Sequence, residues 1–206
     1  MNHVNAVISS ISTQVSIRKN PVKALIPCAV ECFKDSFKAT AGIIATPFSA
    51  ITCGKFKTIN QWSDLTSKGK EILPKIFKVA MTIVNPLYSQ NLIIEDGLFA
   101  EPVSKKINLT CYKLKYSGIW FNNNITLRAL KFFSIPVLTL TRTADGLLAL
   151  PAVAVSVLTL GNYKEINGFA SNQLISFGSI FSDVSSNLRA AFNPSSVSIL
   201  GKSINI

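Results

Sequence analysis

The chain is poor in the residues that do chemistry. It has one histidine, His3, and ten carboxylates among 206 residues. The carboxylates are scattered, and only Glu31 with Asp35 and Glu95 with Asp96 stand close together. The first pair sits one helical turn apart beside Lys34 and Lys38, which reads as an ion-paired solvated face. The second precedes Gly97 and reads as a turn. No phosphate loop, dinucleotide fingerprint or nucleophile elbow is present. Cysteines occupy positions 28, 32, 53 and 111, and Cys28 and Cys32 share one helix face. A structural zinc needs four Cys or His ligands at suitable spacing, and the single histidine lies in the N-terminal segment. The thiols read as small buried residues in a reducing compartment. The sequence therefore predicts neither an enzyme nor a metal or cofactor site.

Charge is scarce as well. Only 15% of residues are charged, against roughly 25% in ordinary soluble proteins, while 48% are hydrophobic and the mean hydropathy is +0.36. Wholesale disorder is excluded, because disordered chains are apolar-poor. Two readings remain: a membrane-contacting protein, or a soluble helical bundle with a large core and an oligomeric interface. Met1 to Ser16 contains no Lys or Arg, so no cleaved secretory signal is expected. Without one, the Asn108-Leu109-Thr110 and Asn124-Ile125-Thr126 triplets carry no glycosylation reading.

What charge there is has one dominant sign. With 21 Lys and Arg against ten Asp and Glu, the formal net charge is +11. That suits anionic partners, either acidic lipid headgroups or nucleic acid. The basic residues are dispersed in small sets such as Lys55 with Lys57, Lys105 with Lys106, and Lys113 with Lys115. Nucleic-acid binders gather charge on one polar face and carry a reading motif. Neither feature is evident, so a membrane surface is the expected partner and nucleic acid is not.

An internal repeat organises the chain. Gly42-Ile43-Ile44-Ala45-Thr46-Pro47 leads through an apolar run to Gly54-Lys55-Phe56-Lys57-Thr58-Ile59-Asn60. Gly146-Leu147-Leu148-Ala149-Leu150-Pro151 leads likewise to Gly161-Asn162-Tyr163-Lys164-Glu165-Ile166-Asn167. Asn85-Pro86 and Asn193-Pro194 close the two copies at matched distance. Each copy reads as an apolar helix, ended by Gly54 or Gly161 as a left-handed cap, then a second, amphipathic helix. Ala170, Leu174, Phe177, Phe181, Val184, Leu188 and Ala191 form one apolar stripe of the latter in the second copy, and Leu73, Ile76, Ala80 and Ile83 in the first; in a soluble bundle the stripe would pack against the apolar helix.

The expected fold is mainly α, made of two diverged copies of a hydrophobic helix-pair unit. Ile107 to Tyr116, rich in strand formers, is read as pairing with Leu92 to Phe99 in a small β-hairpin between them. The divisions are an N-terminal amphipathic helix over 1–20, the first repeat over 21–90, a central linker over 91–123, the second repeat over 124–194, and a tail over 195–206.

Pro136 to Leu160 is long enough to cross a bilayer, about 37 Å at 1.5 Å per residue, but it contains Arg142 and Asp145. Each charge would cost about 2.5–3.5 kcal/mol at mid-membrane. Their spacing permits mutual pairing, and the favoured placement leaves them at the interface and inserts Gly146 to Leu160. The candidate membrane-contact residues are Leu147, Leu148, Leu150, Val153, Val155, Val157 and Leu158, with Ile43, Ile44 and Phe48 in the first copy. Basic residues flank both runs: Lys34, Lys38, Lys55 and Lys57 around one, Arg142 and Lys164 around the other.

The order Gly-Leu-Leu-Ala-Leu-Pro, apolar run, Gly-Asn-Tyr-Lys-Glu-Ile-Asn resembles segments of uncharacterised membrane-associated proteins of chlamydia-like intracellular bacteria. The paired apolar hairpins also look like the hydrophobic lobes of inclusion membrane proteins. The resemblance spans Lys38 to Pro86 and Arg142 to Pro194. It implies delivery to a host-derived membrane without a cleaved signal, and it carries no functional residue. The expected function is a non-catalytic, membrane-associated structural or interaction protein, anchored by apolar helical hairpins with basic flanks. Its expected partners are anionic lipids together with a protein partner or a second copy; the alternative is a soluble helical-bundle binding module or homodimer.

Overall fold

The computed structural model describes residues 21–53, 55–85, 88 and 97–193, and over these the protein is mainly helical, with no strand. The helix expected over 1–20, the tail from 195, Gly54, and the Leu92 to Asp96 part of the expected hairpin lie outside the described residues.

Helix α1 (Pro21–Ile51) is followed by α2 (Lys57–Asp64), a 3-10 turn over Leu65–Lys68, and α3 (Gly69–Val84). Helix α4 (Ala100–Lys115) comes next, then a π-turn over Asn122–Thr126 that runs into α5 (Leu127–Leu158). Helices α6 (Lys164–Gly178) and α7 (Ile180–Phe192) complete the described chain. Helix α1 packs on α2 and α3, and α5 packs on α6 and α7. The two groups meet where α3 lies along α6 and where α7 reaches α1 and the 3-10 turn.

The two long helices end in the same way. At the end of α5, the Gly161 N–H donates to the Ser156 carbonyl at 2.7 Å and the Leu160 N–H to that of Val157 at 3.0 Å. This is a Schellman closure with Leu160, at φ 52°, as the left-handed residue. At the end of α1 the Cys53 N–H donates to Ala50, and Cys53 takes φ 51°. Gly161 is left-handed as expected, at φ 69°, but the residue before it is left-handed too, and Cys53 and Leu160 take that conformation with side chains that cost roughly 1–2 kcal/mol there. The following helices start from extended residues of nearly equal geometry, Phe56 (φ −96°, ψ 103°) and Tyr163 (φ −99°, ψ 102°). Helices α3 and α7 stop at Asn85 (φ −134°, ψ 104°) and Asn193 (φ −130°, ψ 93°). Each asparagine then reaches across. Asn85 Nδ2 donates to the Leu160 carbonyl at 2.7 Å, and Asn193 Nδ2 donates to the Cys53 carbonyl at 2.6 Å.

Two expectations are corrected. The segment read as a strand is the C-terminal half of α4, with Ile107 to Lys115 helical and Tyr116 its C-cap. The amphipathic segment from Lys164 to Phe192 is two helices broken at Ser179, not one. At the break Gly178 lies so close to the start of α3 that an added Cβ would stand 2.7 Å from Lys70 Cα.

The larger surprise is which face points in. The apolar stripes occur where periodicity placed them, but much of each faces outward: Ile76, Ile83, Phe177 and Phe181 are exposed. The fully buried positions between helices include Ser49, Ser63, Ser156, Asn167, Ser171 and Ser176 beside small apolar residues such as Ala149 and Ala170. Among the described residues, buried polar and charged side chains outnumber buried hydrophobic ones. One compact apolar cluster remains, Phe77, Met81, Tyr88 and Ala170, with Val153 and Leu174 packed against it.

Candidate membrane-contact surface

The outward apolar surface follows the two long helices. On α1 it comprises Ile26, Val30, Phe33, Phe37, Ile44, Phe48 and Ile51, a stripe of three- and four-residue steps with one seven-residue gap. On α5 it runs through Phe133, Val137, Leu140, Leu147, Leu150 and Leu158. Of the ten residues singled out in the sequence, Leu147, Leu150, Val155, Val157, Leu158, Ile43, Ile44 and Phe48 are exposed. Leu148 is half-buried and Val153 packs against the Phe77 cluster, so these two do not belong to the outward surface. Periodicity alone could not separate them, because nearly every residue from Gly146 to Leu160 is apolar.

Two apolar grooves flank α1. One, of about 400 Å³, lies between α1 and α2 and is lined by Ile44, Phe48, Ile59 and Trp62. The other, of about 500 Å³, lies between α1 and α3 and is lined by Cys32, Phe33, Ile72 and Ile76.

Helix α5 with its preceding turn, residues 122–158, is long and apolar enough to cross a membrane. At 32 residues α5 alone measures about 48 Å. Only 28% of its most apolar stretch is buried, whereas the core helix of a soluble bundle is mostly buried.

Inside, many of the polar groups pair with one another, although the Ser156 and Ser171 hydroxyls are buried without a hydrogen-bond partner among the described residues. Thr46, Ser63 and Ser185, from α1, α2 and α7, form a closed triangle of hydroxyls at 3.1, 3.0 and 2.8 Å. Ser49 donates to Asn60 Oδ1 at 2.6 Å. Hydroxyls facing outward bond back to their own helix, as Thr40 does to the Ser36 carbonyl and Thr143 to that of Thr139.

The charged pair of α5 is placed differently from expectation. Arg142 and Asp145 are both buried instead of standing at an interface, and each has a partner on another element. Arg142 Nε donates to Asp183 of α7 at 2.5 Å, and its Nη1 reaches the Ser176 carbonyl and hydroxyl. Asp145 accepts the Phe99 N–H at 2.8 Å, the Ala100 N–H at 3.2 Å and the Ser176 hydroxyl at 2.6 Å. A carboxylate of one helix thus caps the N-terminus of another, where free N–H groups and the helix dipole favour negative charge. Gly97 sits against this carboxylate so tightly that a Cβ would fall 2.0 Å from Asp145 Oδ2.

In the other group Asp35 of α1 pairs with Lys75 of α3 at 2.6 Å, and Lys75 also holds Glu71 at 3.1 Å. Burial alone would raise the Glu71 carboxyl, but hydrogen bonds from Lys75 and Lys68 outweigh it and hold the group below its usual range. The Asp35 hydrogen bond, together with Glu71, holds the Lys75 ammonium above the ordinary lysine value. Burial and the neighbouring Cys32 push the Cys28 thiol up to about 11, and burial also raises Cys111. Both thiols stay protonated and unreactive at neutral pH. No cluster of three or more His, Cys, Asp or Glu side chains suited to a metal occurs among the described residues.

Comparison of the chain with protein families, with curated proteins and with solved structures finds no match.

Proposed function

We propose that this protein is a non-catalytic structural or interaction protein inserted in a membrane through the outward faces of α1 and α5, its polar seam sealed inside. The observation that carries the reading is the inverted burial: serines, threonines, alanines and glycines line the helix contacts while phenylalanine, leucine and isoleucine face out. In water that arrangement wastes hydrophobic burial. In lipid it is the expected one, because tails are as apolar as leucine and helices associate through small residues and interhelical hydrogen bonds. Arg142 and Asp145 then sit inside the bundle with partners instead of facing hydrocarbon, which lowers the cost that their position in α5 would otherwise impose. The net charge of +11 adds attraction to anionic headgroups.

We further propose that the chain is a diverged duplication of one helix-pair unit. The reading is supported by the equal turns at Cys53 and Leu160, the equal helix starts at Phe56 and Tyr163, and the reciprocal Asn85 and Asn193 hydrogen bonds. It is supported too by the two ion pairs, Asp35–Lys75 and Arg142–Asp183, which have opposite polarity at matched places.

The test is alkaline carbonate extraction of membranes from cells expressing the protein, beside a variant with Leu140, Leu147 and Leu158 all changed to Ser. The three side chains are 71%, 64% and 82% exposed. At about 1–2 kcal/mol each for contact with lipid, the variant should lose on the order of 100-fold or more in partitioning. Release of the unmodified protein as a soluble, monodisperse species would refute the membrane reading. It would make the same faces the contact between two copies of a soluble bundle.

A further inference from the structure

The end of the hairpin formed by α4 and α5 has a character of its own. Asp145 binds the first residue of α4, and Cys111, late in α4, touches Lys131, early in α5. The two helices are therefore antiparallel, and the turn between them stands at the far end of α4. Sixteen residues at 1.5 Å each put that turn about 24 Å from Asp145. It projects Tyr116, Ile119, Trp120 and Phe121, exposed by 64%, 56%, 69% and 56%, and Tyr112 and Ile125 flank it, also exposed. Gly118, at φ 71°, makes the bend, with open space around it.

Charge is equally one-sided. From Pro102 to Ala144 there is no carboxylate, yet the stretch holds seven of the chain's 21 basic residues. Lys106, Lys113 and Arg128 are exposed among them. Tyrosine and tryptophan beside lysine and arginine, with isoleucine and phenylalanine at the tip, make the composition of a headgroup-level anchor. The tip is continuous with the outward face of α5 through Phe132 and Phe133.

We infer that the turn between α4 and α5 is a built anchor for an anionic phospholipid surface. Ile119 and Phe121 enter the acyl boundary, Tyr112, Tyr116 and Trp120 lie at the headgroup level, and Lys106, Lys113 and Arg128 contact lipid phosphates. The inference rests on the membrane reading above and adds to it the lipid class and the depth of one defined segment. Aromatic and basic residues together also suit single-stranded nucleic acid. The continuity of the tip with an apolar helix face favours lipid, since a nucleic-acid groove has no use for it.

The experiment uses the full chain carrying Trp62→Phe, which leaves Trp120 as the one tryptophan. The protein is combined with vesicles of phosphatidylcholine alone and with vesicles in which phosphatidylglycerol replaces part of it. Trp120 emission should shift to the blue, more completely on anionic vesicles, and lipids brominated near the headgroup end of the acyl chain should quench it more than lipids brominated near the terminal methyl. Changing Lys106, Lys113 and Arg128 together to Gln should weaken binding to anionic vesicles on the order of 100-fold, with binding to neutral vesicles and the circular dichroism spectrum unchanged. Firm membrane association with unshifted Trp120 emission would overturn the anchor and leave the membrane reading intact. Equal response to neutral and anionic vesicles would overturn the anionic assignment. Quenching by a single-stranded oligonucleotide without any response to vesicles would overturn it in favour of nucleic acid.

Discussion

Removing the Asp145 carboxylate should strongly destabilise this protein. In Asp145→Ala three donors lose their acceptor at once: the Phe99 and Ala100 N–H groups and the Ser176 hydroxyl. Asp145 is fully buried, so little water can replace it. At about 1–2 kcal/mol for each of the three stranded donors, Phe99 being partly exposed, the loss should be about 3–6 kcal/mol. The nearby Arg142 keeps Asp183, which limits the damage to the α4 end of the network. Asp145→Asn retains one acceptor and the shape and should cost roughly half as much. Thermal unfolding in mild detergent measures the total, and hydrogen exchange at the start of α4 locates it. Asp64→Asn serves as control: its ion pair with Arg189 is exposed on the Asp64 side and should contribute under about 1 kcal/mol. A loss below about 1 kcal/mol in Asp145→Ala, or unchanged exchange in α4, would refute the cap as the tether of that helix.

Three other outcomes follow from the same geometry. Leu160→Gly relieves a left-handed backbone at a half-exposed side chain and should raise stability by about 1 kcal/mol, read from the unfolding midpoint. Gly178→Ala forces a Cβ onto the backbone at Lys70 and should destabilise by about 1–3 kcal/mol in the same assay. The Glu71–Lys75 contact should fade at both extremes of pH. The lowered Glu71 contributes above its unfolded carboxylate value, about 4.3, and is lost as pH falls through its folded one. The raised Lys75 contributes fully below its unfolded value, about 10.4, and is lost as pH rises through its folded one. Each limb should be shallow, because both side chains are about a third exposed, and Glu71→Gln should flatten the acid limb.

Helix positions were largely legible in the sequence, and helix facing was not. Three- and four-residue spacing located the stripes of α3, α6 and α7 correctly. Under the soluble-bundle alternative, the stripe carrying Phe177 and Phe181 packs inward on the apolar helix. Both side chains are exposed instead. Ser171 and Ser176, both fully buried, flank the apolar stripe of α6 on its two sides, a pattern that the large apolar residues alone do not report. Helix α4 was missed because Ile107, Leu109, Tyr112 and Tyr116 carry strand propensity. Its helical state is fixed from outside by a carboxylate 45 positions further on, which no local pattern reports. The aromatic tip went unread with it. Its signal was present as the absence of any carboxylate from Pro102 to Ala144, a quantity that counting small basic clusters does not capture.

The exchanged asparagines bear on how the chain can be cut and how it can be completed. The turn after α1 is finished by a residue 140 positions away, and the turn after α5 by one 75 positions back. Each turn carbonyl takes its side-chain donor from the other half of the chain. A fragment ending short of Asn193 leaves the Cys53 carbonyl open, and a fragment beginning beyond Asn85 does the same to Leu160. Two such fragments, made separately and mixed, each hold what the other needs, so the protein is built in the manner of a clasp that closes on both sides at once.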